Sequence, residues 1–300
     1  MRSLPAIALL LLCGCATAPA VAPAPAALPA SALVQPLAWT YGSAEAAMQA
    51  RQSFAALLAH VETLRPSPGM ASAIAERLED GRAVMRRCTA ETARRPAVVF
   101  DVDETLVWNI GHQQWQARTG RDFDPAIWAQ WERAGGPGLV AVPGAVETVR
   151  ALRALGITPI FITNRAAAHA AETARDLDRL GLGPALHRET LFLDGDAQGG
   201  SRKHHRREVV AARFCVLAQA GDQMGDFADA IDFDASGNRR PAAHRVRVAG
   251  ETFGALWNRG WFLIPNPMYG RWNQPPLTLD EVVPADWRWA PEEMPDAMDP

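Results

Sequence analysis

Asp101 and Asp103 stand two residues apart where the short β-branched and aromatic run Ala97-Val98-Val99-Phe100 ends. Apolar residues without a helical period read as a buried strand. Side chains alternate along a strand, so these two carboxylates leave it on one side. Paired carboxylates at the carboxyl end of a strand suit a cation and proton transfer, and that edge of an open α/β sheet is where ligands bind. An isolated Asp-x-Asp reads equally well as two solvated loop acids, but three later segments weigh against that. Ile157 to Ile162 is a second strand candidate ending in Thr163-Asn164-Arg165. Lys203 lies in the basic stretch Ser201-Arg202-Lys203, ahead of the helical-looking Glu208 to Ala212. Phe214 to Ala220 is a third strand candidate, ending in Gly221-Asp222-Gln223-Met224-Gly225-Asp226. Acids, a hydroxyl, a lysine and acids again, mostly at strand ends, form an order that chance rarely produces.

The elements that must hold these residues follow from the rest of the chain. A helix is predicted from Ser43 to about Leu64, with Ser43 as N-cap and Glu45 in its first turn. A second helix is predicted from about Met70 to Arg86. Residues Trp108 to Val140 carry Trp115, Phe123, Trp128 and Trp131 without strand alternation and read as an insertion. Downstream, helices from about Ala145, Ala166 and Lys203 alternate with strands ending near Thr163, Leu193 and Gly221; a further helix and the strand Trp261 to Ile264 follow. Such alternation implies an α/β fold with a parallel sheet and right-handed crossovers.

The order of the acidic, hydroxyl and lysine segments resembles the four motifs of the haloacid dehalogenase superfamily. Within it, the chain is similar to the class C acid phosphatases, the bacterial lipoprotein acid phosphatase and 5'-nucleotidase family. Trp39 to Glu45, Trp128-Ala129-Gln130-Trp131, Val142 to Glu147 and Ile264 to Gly270 extend the resemblance over nearly the whole chain after the leader. Gln223-Met224 departs from it, since the family more often has Asn-Leu there. The resemblance implies a haloacid-dehalogenase-like (Rossmann-like) parallel sheet flanked by helices, with a small, mainly helical cap from about residues 37–95 and 108–140. It implies hydrolysis of phosphate monoesters, with nucleoside 5'-monophosphates as the expected substrates. Asp101 is then the nucleophile and Asp103 the general acid–base. Mg²⁺ is expected between Asp101, the Asp103 backbone carbonyl and Asp222, with Asp226 acting at one remove or through water. Lys203 bridges nucleophile and phosphate, while the Thr163 hydroxyl and the Asn164 backbone N–H donate to a phosphoryl oxygen.

Aromatic side chains at Trp128, Trp131 and Tyr269 offer faces on which a nucleobase can stack, although the two tryptophans equally suit packing of the cap. Asp194-Gly195-Asp196 lacks the third acid and terminal Glu of a calcium loop and reads as a turn. His204 and His205 are adjacent rather than spaced for one metal and read as solvated. A broad phosphomonoesterase without nucleotide preference is the competing enzyme reading. A decayed, surface-binding lipoprotein is the non-enzyme reading, disfavoured because every residue type the chemistry needs is present.

The leader bounds the compartment. Arg2, the apolar run Leu4 to Leu12 and Cys13-Gly14-Cys15 form a secretory signal too short to span a membrane. Leu12 to Cys15 also fits a lipobox, with cleavage after Gly14 and a lipid on Cys15; an ordinary cleaved signal is the alternative. A lipid-anchored protein of the bacterial cell envelope, at the outer membrane, is the expectation. Residues 16–36 are mostly Ala, Pro and Val and read as a tether. Residues 37–275 form the phosphatase domain, about 239 residues, and 276–300, rich in Pro, Trp and acids, a tail. A net charge of −3 without a dominant basic stripe argues against a nucleic-acid polymer as partner. Cys88 and Cys215 remain after the leader; a buried thiol at Cys215 is expected over a bridge between them. Homodimerisation is left open by these residues.

Overall fold

The computed structural model describes residues 33–273. The predicted signal with Cys15, the tether up to residue 32 and the tail from 276 lie outside them. Val34 to Pro36, predicted as the end of the tether, open helix α1 (Val34–Gly42). Helix α2 (Ala44–Thr63) begins as predicted, with the Ser43 hydroxyl accepting from the Ala46 N–H at 3.1 Å. Its buried residues Ala46, Ala50, Phe54, Leu57 and Val61 recur every three or four positions, so one stripe faces the core.

Where a helix was predicted from Met70 to Arg86, the chain instead forms an antiparallel hairpin of β1 (Ala71–Glu79) and β2 (Arg82–Arg87). Asp80 and Gly81, with φ of +49° and +73°, make the two-residue turn between the paired Glu79 and Arg82. Tertiary bonds decide the outcome. The Ala73 carbonyl accepts from the Gln219 side-chain amide at 2.9 Å and from the Trp261 indole at 2.7 Å. In a helix that carbonyl would be committed to the local ladder.

Strand β3 (Pro96–Phe100) leads into the insertion, whose base is closed by the short antiparallel pair β4 (Val107–Trp108) and β5 (Val140–Ala141). Between them lie α3 (Ile110–Thr119) and α4 (Pro125–Ala134). The Asp124 carboxylate caps α4 by accepting from Ala126 N–H at 2.7 Å, and Pro125 opens its first turn. Helix α5 (Ala145–Ala154), β6 (Thr158–Ala166), α6 (Ala170–Arg179), β7 (Leu191–Asp194), α7 (His204–Ala211), β8 (Cys215–Gly221), α8 (Met224–Phe227) and β9 (Trp261–Leu263) follow.

Five strands form one sheet in the order β7-β6-β3-β8-β9, every pair parallel. Alternation assigns its faces. Val98 and Phe100 join Phe54, Leu57, Val149 and Leu152 on one side, while Ala97 and Val99 join Ile74, Val210, Phe227 and Trp261 on the other. Burying each large apolar side chain stabilises the fold by roughly 1.5–3 kcal/mol. Helix α2 and the hairpin therefore pack on the sheet's two faces as flanking layers. Residues 108–140, one of the two segments predicted as cap, lie in the chain between β3 and α5.

The expectation of a free thiol at Cys215 is corrected. The return of β2 brings Cys88 to the start of β8, where its sulfur bonds that of Cys215 with Cα atoms 5.2 Å apart.

Candidate active site

The chain visits β3, then β6 on one side, and only later β8 on the other, so a crevice opens past the carboxyl ends of these strands. Asp101 follows the last residue of β3, and its N–H donates to the Ala220 carbonyl of β8 at 3.0 Å. Asp222 follows β8 directly. Lys203 precedes α7, and its buried ammonium donates to the carboxylates of Asp101 and, at 2.6 Å, Asp226. Asp226 also caps α8, accepting from the Gln223 N–H at 2.8 Å. Gly221 makes this possible, since a Cβ there would collide with the Asp226 carboxylate. Asp222 is held by Asn266 at 2.7 Å and Gln223 at 2.8 Å on one oxygen, and by the Thr105 hydroxyl at 3.1 Å on the other.

Ligand oxygens of Asp101, Asp222 and Asp226 lie within 4.8 Å of one another. One ammonium against three buried carboxylates leaves excess negative charge. Burial, then the charges of Asp226, Asp222 and Asp103, outweigh Lys203 and push the Asp101 carboxyl up. Burial and Asp226 raise Asp222 to about 7. Burial alone would lower Lys203, but Asp101 and Asp226 hold it above its ordinary value. The donor set is all carboxylate oxygen and short of positive charge, which fits a hard divalent cation.

Asp103 has a different environment. Its carboxylate takes Arg165 Nη2 at 2.7 Å and Nε at 3.0 Å, Asn109 Nδ2 at 3.0 Å and the Thr163 hydroxyl at 3.1 Å. Burial would raise it, but the Arg165 guanidinium and these donors hold it below the usual carboxylate range. The Thr163 hydroxyl, predicted to face a phosphoryl oxygen, is thus directed at Asp103, and the Asn164 side chain accepts from Arg206 at 2.6 Å. Asp226, expected at one remove from the cation, accepts from Lys203 and offers an oxygen within 4.8 Å of those of Asp101 and Asp222.

The three aromatic candidates differ in setting. The Tyr269 hydroxyl donates to Glu104 at 2.5 Å while the residue as a whole is 37% exposed. Trp128 meets the buried His112 edge-on, with ring centroids 5.0 Å apart. Trp131 lies against Gly111, Gly135 and Gly138, where any Cβ would strike the indole, and its N–H donates to Asn109 at 2.7 Å. Glu132, next on α4, accepts from the Ala166 N–H and lies 2.6 Å from the His169 ring, tying α4 to the end of β6.

Arg165, Asn109, Glu104 and Asn266 had no assigned role from sequence. Arg165 and Asn266 sit inside the matched segments, and a charged residue near the end of a buried strand calls for a paired charge. Glu104 directly follows the Asp101/Asp103 pair, whereas nothing local marks Asn109.

The family model for HAD superfamily, subfamily IIIB (acid phosphatase) matches residues 74–272. The chain belongs to this acid phosphatase family. It is a phosphoric monoester hydrolase of the acid phosphatase type. Among solved structures, the class C acid phosphatase from Bacillus anthracis matches with a TM-score of 0.62 at 22% identity, covering 80% of this chain and 86% of that one. The same protein with tungstate bound matches with the same figures. At this identity the likeness establishes the shared acid phosphatase fold.

Proposed function

We propose that this acid phosphatase is a Mg²⁺-dependent enzyme that works through an aspartyl-phosphate on Asp101 and prefers nucleoside 5'-monophosphates. The observation that carries this reading is the convergence of Asp101, Lys203, Asp222 and Asp226 past the ends of β3 and β8. Asp101, Asp222 and the Asp103 carbonyl would hold the ion, with Asp226 beside them; bound there, it offsets the repulsion between carboxylate and phosphate. An Asp101 oxygen attacks phosphorus as the ester P–O bond breaks, and Lys203 balances charge on the phosphoryl oxygens. Asp103 delivers a proton to the departing oxygen, then takes one from the water that cleaves the Asp101–phosphorus bond. Phosphate and free Asp101 result.

Because Arg165 keeps Asp103 ionised, Asp103 takes the proton it delivers from the monoanionic ester itself, and the proton it later takes from water leaves with the phosphate. Monoesters lose that proton near pH ~6, which suits an acidic optimum. Phosphate release is therefore expected with Mg²⁺ and lost with a chelator. Asp101→Asn is expected to abolish it while circular dichroism stays unchanged; turnover near wild type in that variant would remove Asp101 from the nucleophile role.

Tyr269, fixed through Glu104 beside Asp103, supports the nucleotide preference as the most exposed of the three aromatic residues. Stacking is worth about 1–3 kcal/mol per base. Tyr269→Ala should then lower kcat/KM for 5'-AMP relative to ribose 5-phosphate by about tenfold; an unchanged ratio favours the broad-specificity reading, as the packed indole of Trp131 does. We also propose lipid anchoring through Cys15 in a bacterial envelope, at the outer membrane. The leader residues support it, as does the Cys88–Cys215 bridge, which oxidising compartments sustain. Cys15→Ser should leave the protein unlabelled by palmitate and in the soluble fraction.

A further inference from the structure

Asn109 is wholly buried and joins four parts of the site. Its amide nitrogen donates to Asp103 Oδ1 at 3.0 Å and to Glu104 at 3.1 Å. Its amide oxygen accepts from the Trp131 indole at 2.7 Å and from Arg165 Nη2 at 3.2 Å. Its backbone N–H donates to Glu104 at 3.0 Å. Two donors and one acceptor oxygen are all in use, so the amide has a single orientation. Trp131, the partner from the insertion, is seated on α4 against three glycines at which an added Cβ would strike its ring. The inserted helix is thereby connected, through one amide, to the carboxylate that must handle the proton.

We propose that Asn109, oriented by the Trp131 indole, is a positioning residue that aims Asp103 at the leaving-group oxygen, and that this link makes proton delivery depend on the seating of α4. The inference rests on the assignment of Asp103 as acid–base. Buried polar groups tied at every atom specify one arrangement, and loss of one partner frees the rest. Asp103 without its Asn109 donor keeps Arg165 and Thr163 but loses the contact that ties it to the insertion.

The test uses two esters whose leaving groups differ in their need for a proton. p-Nitrophenolate departs unprotonated, whereas the alkoxide of glycerol 2-phosphate does not, and neither carries a nucleobase. kcat/KM reports steps up to phosphoryl transfer, so the later role of Asp103 as base does not enter. A positioned general acid contributes about 10²–10⁴-fold. Asn109→Leu is expected to lower the glycerol-phosphate to nitrophenyl-phosphate ratio of kcat/KM about tenfold or more. Trp131→Phe, which keeps a ring on the glycines but removes the N–H, should lower it about threefold. In an Asp103→Asn background neither change should lower it further, as expected of residues acting through one group.

Equal losses on both esters, or a further fall in the Asp103→Asn background, would overturn the proposal in favour of a structural role. Should Asn109→Leu not fold, the Trp131→Phe ratio decides. Wild-type protein inactive on both esters would remove the functional reading itself; active wild type with a constant ratio in the variants would remove this inference alone.

Discussion

Two carboxylates next to each other in sequence, Asp103 and Glu104, show how neighbours set charge state. Asp103 gains a guanidinium and is held ionised, while Glu104, buried and beside that anion, is raised to about 7 despite its donors. A carboxyl raised on folding stabilises the protein below its unfolded pKa, and that contribution is lost as pH rises through the folded one. Between its ordinary value of 4.5 and about 7, Glu104 therefore costs stability with rising pH, on the order of 3 kcal/mol in all. Glu104→Gln keeps an acceptor oxygen for Asn109 and places an amide that can donate to the Tyr269 hydroxyl; it should flatten that slope, so that urea unfolding in chelator shows the variant gaining on wild type from pH 5 to 7.5. An equal slope in both proteins would place the titration elsewhere. The motif acids and Lys203 were legible because their types and order are informative in themselves. Asn109 was not, because an amide in an apolar stretch acquires meaning only from the indole and guanidinium that folding brings to it.

At the scale of elements, the end of β8 leaves no room for a side chain at residue 221. The chain leaves β8 through Gly221 and folds back within five residues to cap α8 with Asp226. Gly221→Ala should displace Asp226 from Lys203, weakening Mg²⁺ half-saturation of activity at least tenfold with a smaller loss of thermal stability; unchanged half-saturation would show that Asp226 is dispensable to the cation site. The parallel sheet was readable because its strands are apolar runs with chemistry at their ends. The hairpin of β1 and β2 was not. Ala71, Ile74 and Leu78 match helical spacing, and Ala, Glu, Arg and Leu between them are helix formers. Asp80-Gly81 was the available contrary signal, and docking of Ala73 on Gln219 and Trp261 is what gave it weight.

Across the whole molecule, the hairpin is joined to the sheet by hydrogen bonds at its base and by the Cys88–Cys215 bridge. That bridge closes a span of 127 residues containing β3, the insertion, β6, β7 and α7. Chain-entropy reasoning assigns about 4–5 kcal/mol to a loop of this length. Replacing both cysteines with alanine should lower unfolding free energy by about 4 kcal/mol, measured in urea, with the site's metal response retained at low temperature. A change below about 1 kcal/mol would mean that the hairpin's hydrogen bonds suffice to hold it.

The sulfur atoms of this bridge sit where solvent does not reach: Cys215 is 0% exposed and Cys88 only 4%. An oxidant meets them only while the polypeptide is still loose, so the timing of export relative to collapse governs which covalent form accumulates. Chains allowed to fold first in a reducing cytosol would trap two sulfhydryls beyond the reach of later aeration, and recovering the cross-linked form would require unfolding them and starting again.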